Sequence, residues 1–212
     1  MLVSDRESAE RVDTFVAVGA SGSQGLKDIK CLLRCLPSDL QAVLLIVLHR
    51  PFDRVSYLRE VPNWQSGIPI HIAEDGVRLR AGHGYIGEPD AHLALAANCL
   101  GDLVADPNNL QRNRTVDVLF RSVATHARNR FIGVVLSGAL DDGSRGLAAI
   151  HEAGGVTMVL TPEDAPRRGM PENAIDYDGP ISFIGDAEAI AADITARVRM
   201  WKLEPPIRNA AS

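Results

Sequence analysis

A serine, a histidine and a pair of aspartates each stand directly after an apolar run in this sequence. Ser21 follows TFVAVGA (residues 14–20), His49 follows AVLLIVL (42–48), and Asp141 and Asp142 follow FIGVVLSGAL (131–140). A hydroxyl, an imidazole and a carboxylate brought together perform nucleophilic catalysis. The hydroxyl attacks a carbonyl, the imidazole takes its proton, and the carboxylate fixes the imidazole tautomer. The turn around Ser21 also fits a second chemistry. Gly19, Gly22 and Gly25 form a G-x-x-G-x-x-G pattern, and such a turn opening a helix lays backbone N–H groups against a dinucleotide phosphate. The acid that would bind a ribose near the end of the second run is replaced by His49, Arg50 and Pro51. Arg50 is compatible with a 2′-phosphate, so an NADP-type binding protein stays open on these residues alone. None of Tyr57, Tyr85 or Tyr177 is followed four residues later by lysine, so a Y-x-x-x-K pair is missing.

Which elements carry these residues follows from periodicity. Continuous apolar runs predict strands at 14–19, 42–48, 69–73, 131–137, 156–160 and 181–184. Helical patterns fall at 24–36, 54–60, 116–129, 143–153 and 187–202. In the 116–129 segment Val116, Leu119, Phe120, Val123 and Ala127 make one stripe, as on a helix packed against a sheet. Asp186 is placed to cap the last helix, and Met170–Pro171 reads as a helix start or as part of a site rim. Residues 74–106 carry short alternating pieces and predict antiparallel hairpins inserted into the frame. The expectation is an α/β fold: a doubly wound, mostly parallel sheet with an inserted antiparallel hairpin region. Residues 13–203 make its single domain, with flexible ends at 1–12 and 204–212. Ligands of such sheets collect at the carboxyl ends of the strands. Ser21, His49 and the Asp141–Asp142 pair all fall there.

Composition narrows the function classes. The chain has 212 residues, is 46% apolar and carries a net charge of −5, which gives no global attraction to nucleic acid or an anionic membrane. Its longest aliphatic run is too short to span a bilayer, and MLVSDRESAERVD at the start has no secretory apolar core. A cytoplasmic protein is expected. Cys31, Cys35 and Cys99 lack metal-ligand spacing, and Cys31 and Cys35 read as a small apolar helix face. The histidines show no H-E-x-x-H or comparable spacing, so neither a metal nor a cofactor is expected. Arg112, Arg114, Arg121, His126, Arg128 and Arg130 form a local basic cluster, read as a solvated helix face or as a dock for acidic helices.

Taken in order, the segments resemble the catalytic domain of the chemotaxis protein-glutamate methylesterase family (CheB), over roughly residues 14–200. The family's G-A-S-T-G-G nucleophile turn stands here as GASGSQG, its Q-H-M-P as LHRP (48–51), and its T-G-M-G-x-D-G acid loop as SGALDDG (137–143). The segments AEDGVRLRAGHGYIGEPDAHL, NRTVDVLFRSVATHA and RRGMPENAI are also similar to family segments. The resemblance implies Ser21 as nucleophile, His49 as general base and Asp142, directly before Gly143, as the acid. It implies hydrolysis of glutamate γ-methyl esters on the cytoplasmic domain of methyl-accepting chemoreceptors, with release of methanol and deamidation of receptor glutamine as a further activity. The oxyanion would be held by the backbone N–H groups of Gly22 and Ala139, and Arg50 and Met170 would border the site.

The departures from the family pattern are Gly22 for threonine, Leu48 and Arg50 beside the histidine, and Ala139 and Leu140 in the acid loop. Only about a dozen residues precede the first strand. The receiver domain that typically precedes this domain is therefore expected to be missing, with any restraint supplied by a regulator in trans. Two other readings stay open at this point. Retention of a cofactor would support dinucleotide binding, and receptor binding without turnover would support a catalytically impaired module.

Overall fold

The structure is a computed structural model that describes residues 12–49, 64–108, 110–111, 113–127, 130–162, 168–177 and 179–203. Arg50 and the helix predicted at 54–60 lie outside the described residues. Among the described residues nine strands and five α-helices follow one another as β1 (Thr14–Ser21), α1 (Gly22–Cys35), β2 (Val43–His49), β3 (Ile70–Ile72), β4 (Gly84–Ile86), β5 (Ala91–Ala96), β6 (Leu100–Ala105), α2 (Thr115–His126), β7 (Arg130–Val135), α3 (Ser144–Glu152), β8 (Val156–Leu160), α4 (Met170–Asp176), β9 (Phe183–Gly185) and α5 (Ala187–Leu203). Seven strands form one sheet in the order β3-β4-β2-β1-β7-β8-β9, and every pairing in it is parallel. β5 and β6 make a separate antiparallel hairpin.

The insertion therefore differs from expectation in one respect. Residues 91–105 form the expected hairpin, but Gly84–Ile86 leaves that region and joins the parallel sheet between β2 and β3. Its three residues are all buried, which polar neighbours on either side hide in a sequence window. α4 is the other element that the periodicity did not delimit; only Pro171 in its first turn marked it.

Alternation along the two central strands sets which helix layer each residue meets. Val16, Val18 and Ala20 of β1 and Leu44, Ile46 and Leu48 of β2 face the core shared with α1 and α5. Phe15 and Ala17, with Val43, Leu45 and Val47, face the opposite core under α2, α3 and α4. Side chains two apart share a face, so Ser21 and His49 continue the α2 side. α1 presents Ile29, Leu32 and Leu33 to the first core, each worth roughly 1.5–3 kcal/mol on full burial. It stops where Leu36 turns extended ahead of Pro37, a residue that disfavours helical backbone just before it.

The chain leaves β1 for β2 on one side and returns to β7 on the other. That reversal opens a crevice at the carboxyl ends of β1 and β7. The crevice is closed from below by α2, which packs so near β1 that a Cβ on Gly19 would lie 2.1 Å from Val116 Cγ1. Gly19→Ala is expected to destabilise the fold by about 1–3 kcal/mol through overpacking, measured by chemical denaturation. A loss below about 0.5 kcal/mol would show that α2 does not sit this close to the strand.

Candidate active site

Ser21 and His49 are the last residues of β1 and β2 and are direct partners in the parallel register. Neighbouring strands lie about 4.8 Å apart, so the hydroxyl and the imidazole rise side by side from one sheet face. The Ser21 N–H donates to the Ser137 carbonyl (2.9 Å), which ties the serine to the loop after β7. Among the described residues no hydrogen bond joins Ser21 Oγ to His49. Such bonds often tighten only once substrate is bound.

The loop after β7 delivers the carboxylate. Asp142 is 1% exposed, and its Oδ2 stands 3.5 Å from His49 Nδ1, whose side chain is 16% exposed. This leaves Nε2 as the ring nitrogen free to serve the hydroxyl. Asp141, next in the chain and chemically identical, is exposed and pairs instead with Arg114 at 3.1 Å. Burial and direction separate the two aspartates, and only Asp142 meets the histidine.

Asp142 is fixed before any substrate arrives. Its Oδ2 accepts the Val116 N–H and its Oδ1 the Asp117 N–H, both at 3.0 Å. These are two of the first-turn donors of α2, which have no partner within the helix. Asp117 returns the exchange: its Oδ1 accepts the N–H groups of Gly143 (3.0 Å) and Gly146 (2.7 Å) at the start of α3. Two helix starts are thus capped by each other's carboxylates, in a site where Asp117 is only 2% exposed. Asp117 was not singled out from the sequence. An acid in the first turn of a predicted helix was its only signal. Burial raises the Asp117 pKa, the Gly146 N–H lowers it, the neighbouring Asp142 raises it again, and Arg114 lowers it; the net direction is upward.

The turn at Ser21 has a backbone reason for its glycine. Gly22 sits at φ 70° with open space where a Cβ would go, so the left-handed backbone, and not crowding, selects it. Gly22 and Ala139 are both exposed, and among the described residues no hydrogen bond uses either N–H.

The acid loop is latched to α4. The Met170 N–H donates to the Gly138 carbonyl (2.8 Å), Ala139 bridges Gly169, and Asn173 Nδ2 donates to the Leu140 carbonyl (2.7 Å). Met170, expected at the rim, is fully buried. A Cβ on Gly138 would lie 2.2 Å from Met170 Sδ and 2.7 Å from Ser21 Cβ. Met170 is therefore a wall behind Ser21, drawn inward because α4 buries its first residue in the core. Arg50 lies outside the described residues. Of the basic cluster, Arg114 is committed to Asp141 and Asp117 and Arg130 is buried in β7, while Arg112 and Arg128 are outside the described residues. The solvated-face reading thus fails for two of its members.

A hydroxyl, an imidazole and a buried carboxylate at the strand ends of a parallel α/β sheet have the composition of a serine-hydrolase site. The family model described as CheB methylesterase matches residues 16–194, and the chain belongs to that family. It is 33% identical over 189 residues to the protein-glutamate methylesterase/protein-glutamine glutaminase of Salmonella typhimurium, covering 88% of this chain and 53% of that protein. The protein of the same name from Yersinia pestis is 38% identical over 170 residues, covering 79% of this chain and 48% of that protein. The chain spans about half the length of these curated relatives. The crystal structure of the Thermotoga maritima CheB methylesterase catalytic domain shares its fold, with a TM-score of 0.73 at 24% identity, covering 86% of this chain and 97% of that one.

The site makes two stability predictions. Asp117→Ala strands two buried N–H groups and is expected to lose about 2–4 kcal/mol, whereas Asp117→Asn keeps an acceptor and should lose less than about 1 kcal/mol. Because the folded pKa of Asp117 lies above its unfolded value of about 3.9, the folded chain binds more protons between the two. This residue's contribution to stability therefore falls as pH rises through that window. The difference between wild type and Asp117→Asn in denaturant midpoints across pH 4–7 should carry that slope; a flat difference would refute it. Leu140, exposed and held at φ 71°, is expected to give about 0.5–1 kcal/mol of stabilisation on Leu140→Gly, since a left-handed backbone disfavours its Cβ. Thermal melts of the two proteins check this.

Proposed function

We propose that this chain is a protein-glutamate methylesterase acting on glutamate γ-methyl esters of methyl-accepting chemoreceptors, with Ser21, His49 and Asp142 as its triad. The observation that carries this is the pairing of a register-locked Ser21–His49 couple with one buried carboxylate facing His49 Nδ1. Membership of the family and the names of the relatives supply the substrate class. Their second activity extends the proposal to glutamine side chains of the same receptors.

In this mechanism His49 Nε2 takes the Ser21 Oγ proton as the oxygen attacks the ester carbonyl. The N–H groups of Gly22 and Ala139 receive the oxyanion, each such donor being worth ~3 kcal/mol. The proton on His49 then passes to the departing methoxide, and methanol leaves. Water, deprotonated by the same imidazole, attacks the acyl-enzyme and returns a free glutamate and Ser21. With glutamine the leaving group is ammonia and the steps are otherwise the same. Asp142 stays ionised throughout and stabilises the imidazolium. The partner is the receptor's cytoplasmic domain, reached from the cytoplasm. Among the described residues no helix is long and apolar enough to cross a membrane.

Methanol release from methylated chemoreceptor membranes tests this. Wild type is expected to release methanol, Ser21→Ala to fall to background, and Asp142→Asn to lose about 10⁴ in kcat. Equal release by wild type and Ser21→Ala would remove the serine from the mechanism. An unchanged rate in Asp142→Asn would remove the acid.

A further inference from the structure

Far from the strand ends, the last two turns of α1 carry Cys31 and Cys35, one above the other at i and i+4. Glu188 in the first turn of α5 meets them. Sγ of Cys31, Sγ of Cys35 and a carboxylate oxygen of Glu188 all lie within 4.8 Å of one another, the one such group of three metal-ligating side chains among the described residues. The sequence reading of the two cysteines as a small apolar face holds only for Cys31, which packs against the α1–α5 core; Cys35 is exposed.

We propose that Cys31, Cys35 and Glu188 form a binding site for a thiophilic divalent ion of the Zn²⁺ class, clipping the end of α1 to the start of α5. Around a tetrahedral ion with Zn–S of about 2.3 Å and Zn–O of about 2.0–2.2 Å, ligand atoms sit about 3.5–3.8 Å apart. Side-chain rotation and a contraction of about 1 Å close the group to that spacing. Two thiolates exclude Ca²⁺ and Mg²⁺, which take oxygen ligands, and favour Zn²⁺. Exposure of Cys35 and Glu188 leaves one side open, so the fourth position takes water.

Burial raises the Cys35 pKa first, then the neighbouring Cys31 and Glu188 raise it further, and Arg34 lowers it only in part. Cys35 therefore meets the ion as a thiol and gives up its proton on binding. On binding, two S–H bonds break, two Zn–S bonds form, and two protons pass to solvent; nothing is oxidised or reduced. Ser21 lies ten residues from Cys31 along α1, about 15 Å at 1.5 Å per residue, so the site is independent of the proposed reaction.

The test uses the full chain, reduced with a phosphine and freed of metal by a chelator. Titration with Zn²⁺ against a chromophoric chelator, and with Cd²⁺ read by its ultraviolet thiolate charge-transfer band, gives stoichiometry and affinity. The expected result is one ion per chain, with affinity lowered at least about 100-fold in Cys35→Ser and in Cys31→Ser, about 10-fold in Glu188→Gln, and not at all in Cys99→Ser. Excess Zn²⁺ should raise the melting temperature of wild type but not of Cys35→Ser, since only a ligand of the folded state stabilises it. Cys35 is exposed, so its serine variant keeps the fold. Absence of the thiolate band, binding that survives Cys35→Ser, or binding that requires Cys99 would each overturn the proposal.

Discussion

The reciprocal exchange between Asp142 and Asp117 is the interaction on which the site's geometry rests. Each carboxylate answers backbone donors that the other's helix cannot satisfy internally. The same four hydrogen bonds therefore hold α2 against α3, cap both helix starts and orient the acid toward His49. Two buried carboxylates so near each other would be costly alone. The N–H groups of two helix starts and the Arg114 guanidinium beside Asp117 offset that cost. The arrangement needs Gly19 and Gly146 to stay small. At Gly146 a Cβ would come within 2.7 Å of Phe120 Cβ and 3.0 Å of Asp117 Cα.

The sheet contributes the other half of the geometry. The separation of Ser21 from His49 is set by a ladder of seven paired residues in the most buried part of the molecule, and loops have no part in it. The acid comes from the far side of the reversal point, through β7. Three residues far apart in sequence are thus placed by two elementary rules, the two-residue alternation of strands and the opening of a parallel sheet where its winding direction changes.

Much of this was legible from residue order. The apolar runs before Ser21, His49 and the aspartates located the strand ends, and the stripe from Val116 to Ala127 marked α2, all of whose stripe residues are buried. Asp142 and Asp141 have the same chemistry and adjacent positions, so pattern alone did not separate them; the family resemblance did, and burial gives the physical reason. β4 was missed because three buried residues between glycines and polar turns carry too little periodicity to distinguish a sheet strand from a hairpin piece. The family resemblance puts Met170 at the border of the site. Its burial follows from α4, a helix of seven residues that only a proline announced. The role of Asp117 depends on donors 26 and 29 residues away, which no local pattern encodes.

The latch between the acid loop and α4 has a consequence for how such a domain diverges. α4 lies beside Ser21, and its Met170 N–H and Asn173 amide also hold Gly138 and Leu140 on either side of Ala139. In the proposed mechanism the Ala139 N–H receives the oxyanion. A substitution that re-tunes recognition through α4 therefore shifts the turnover machinery as well. On that mechanism selectivity and speed are coupled traits along this edge, and a lineage adapting to a new substrate moves both together.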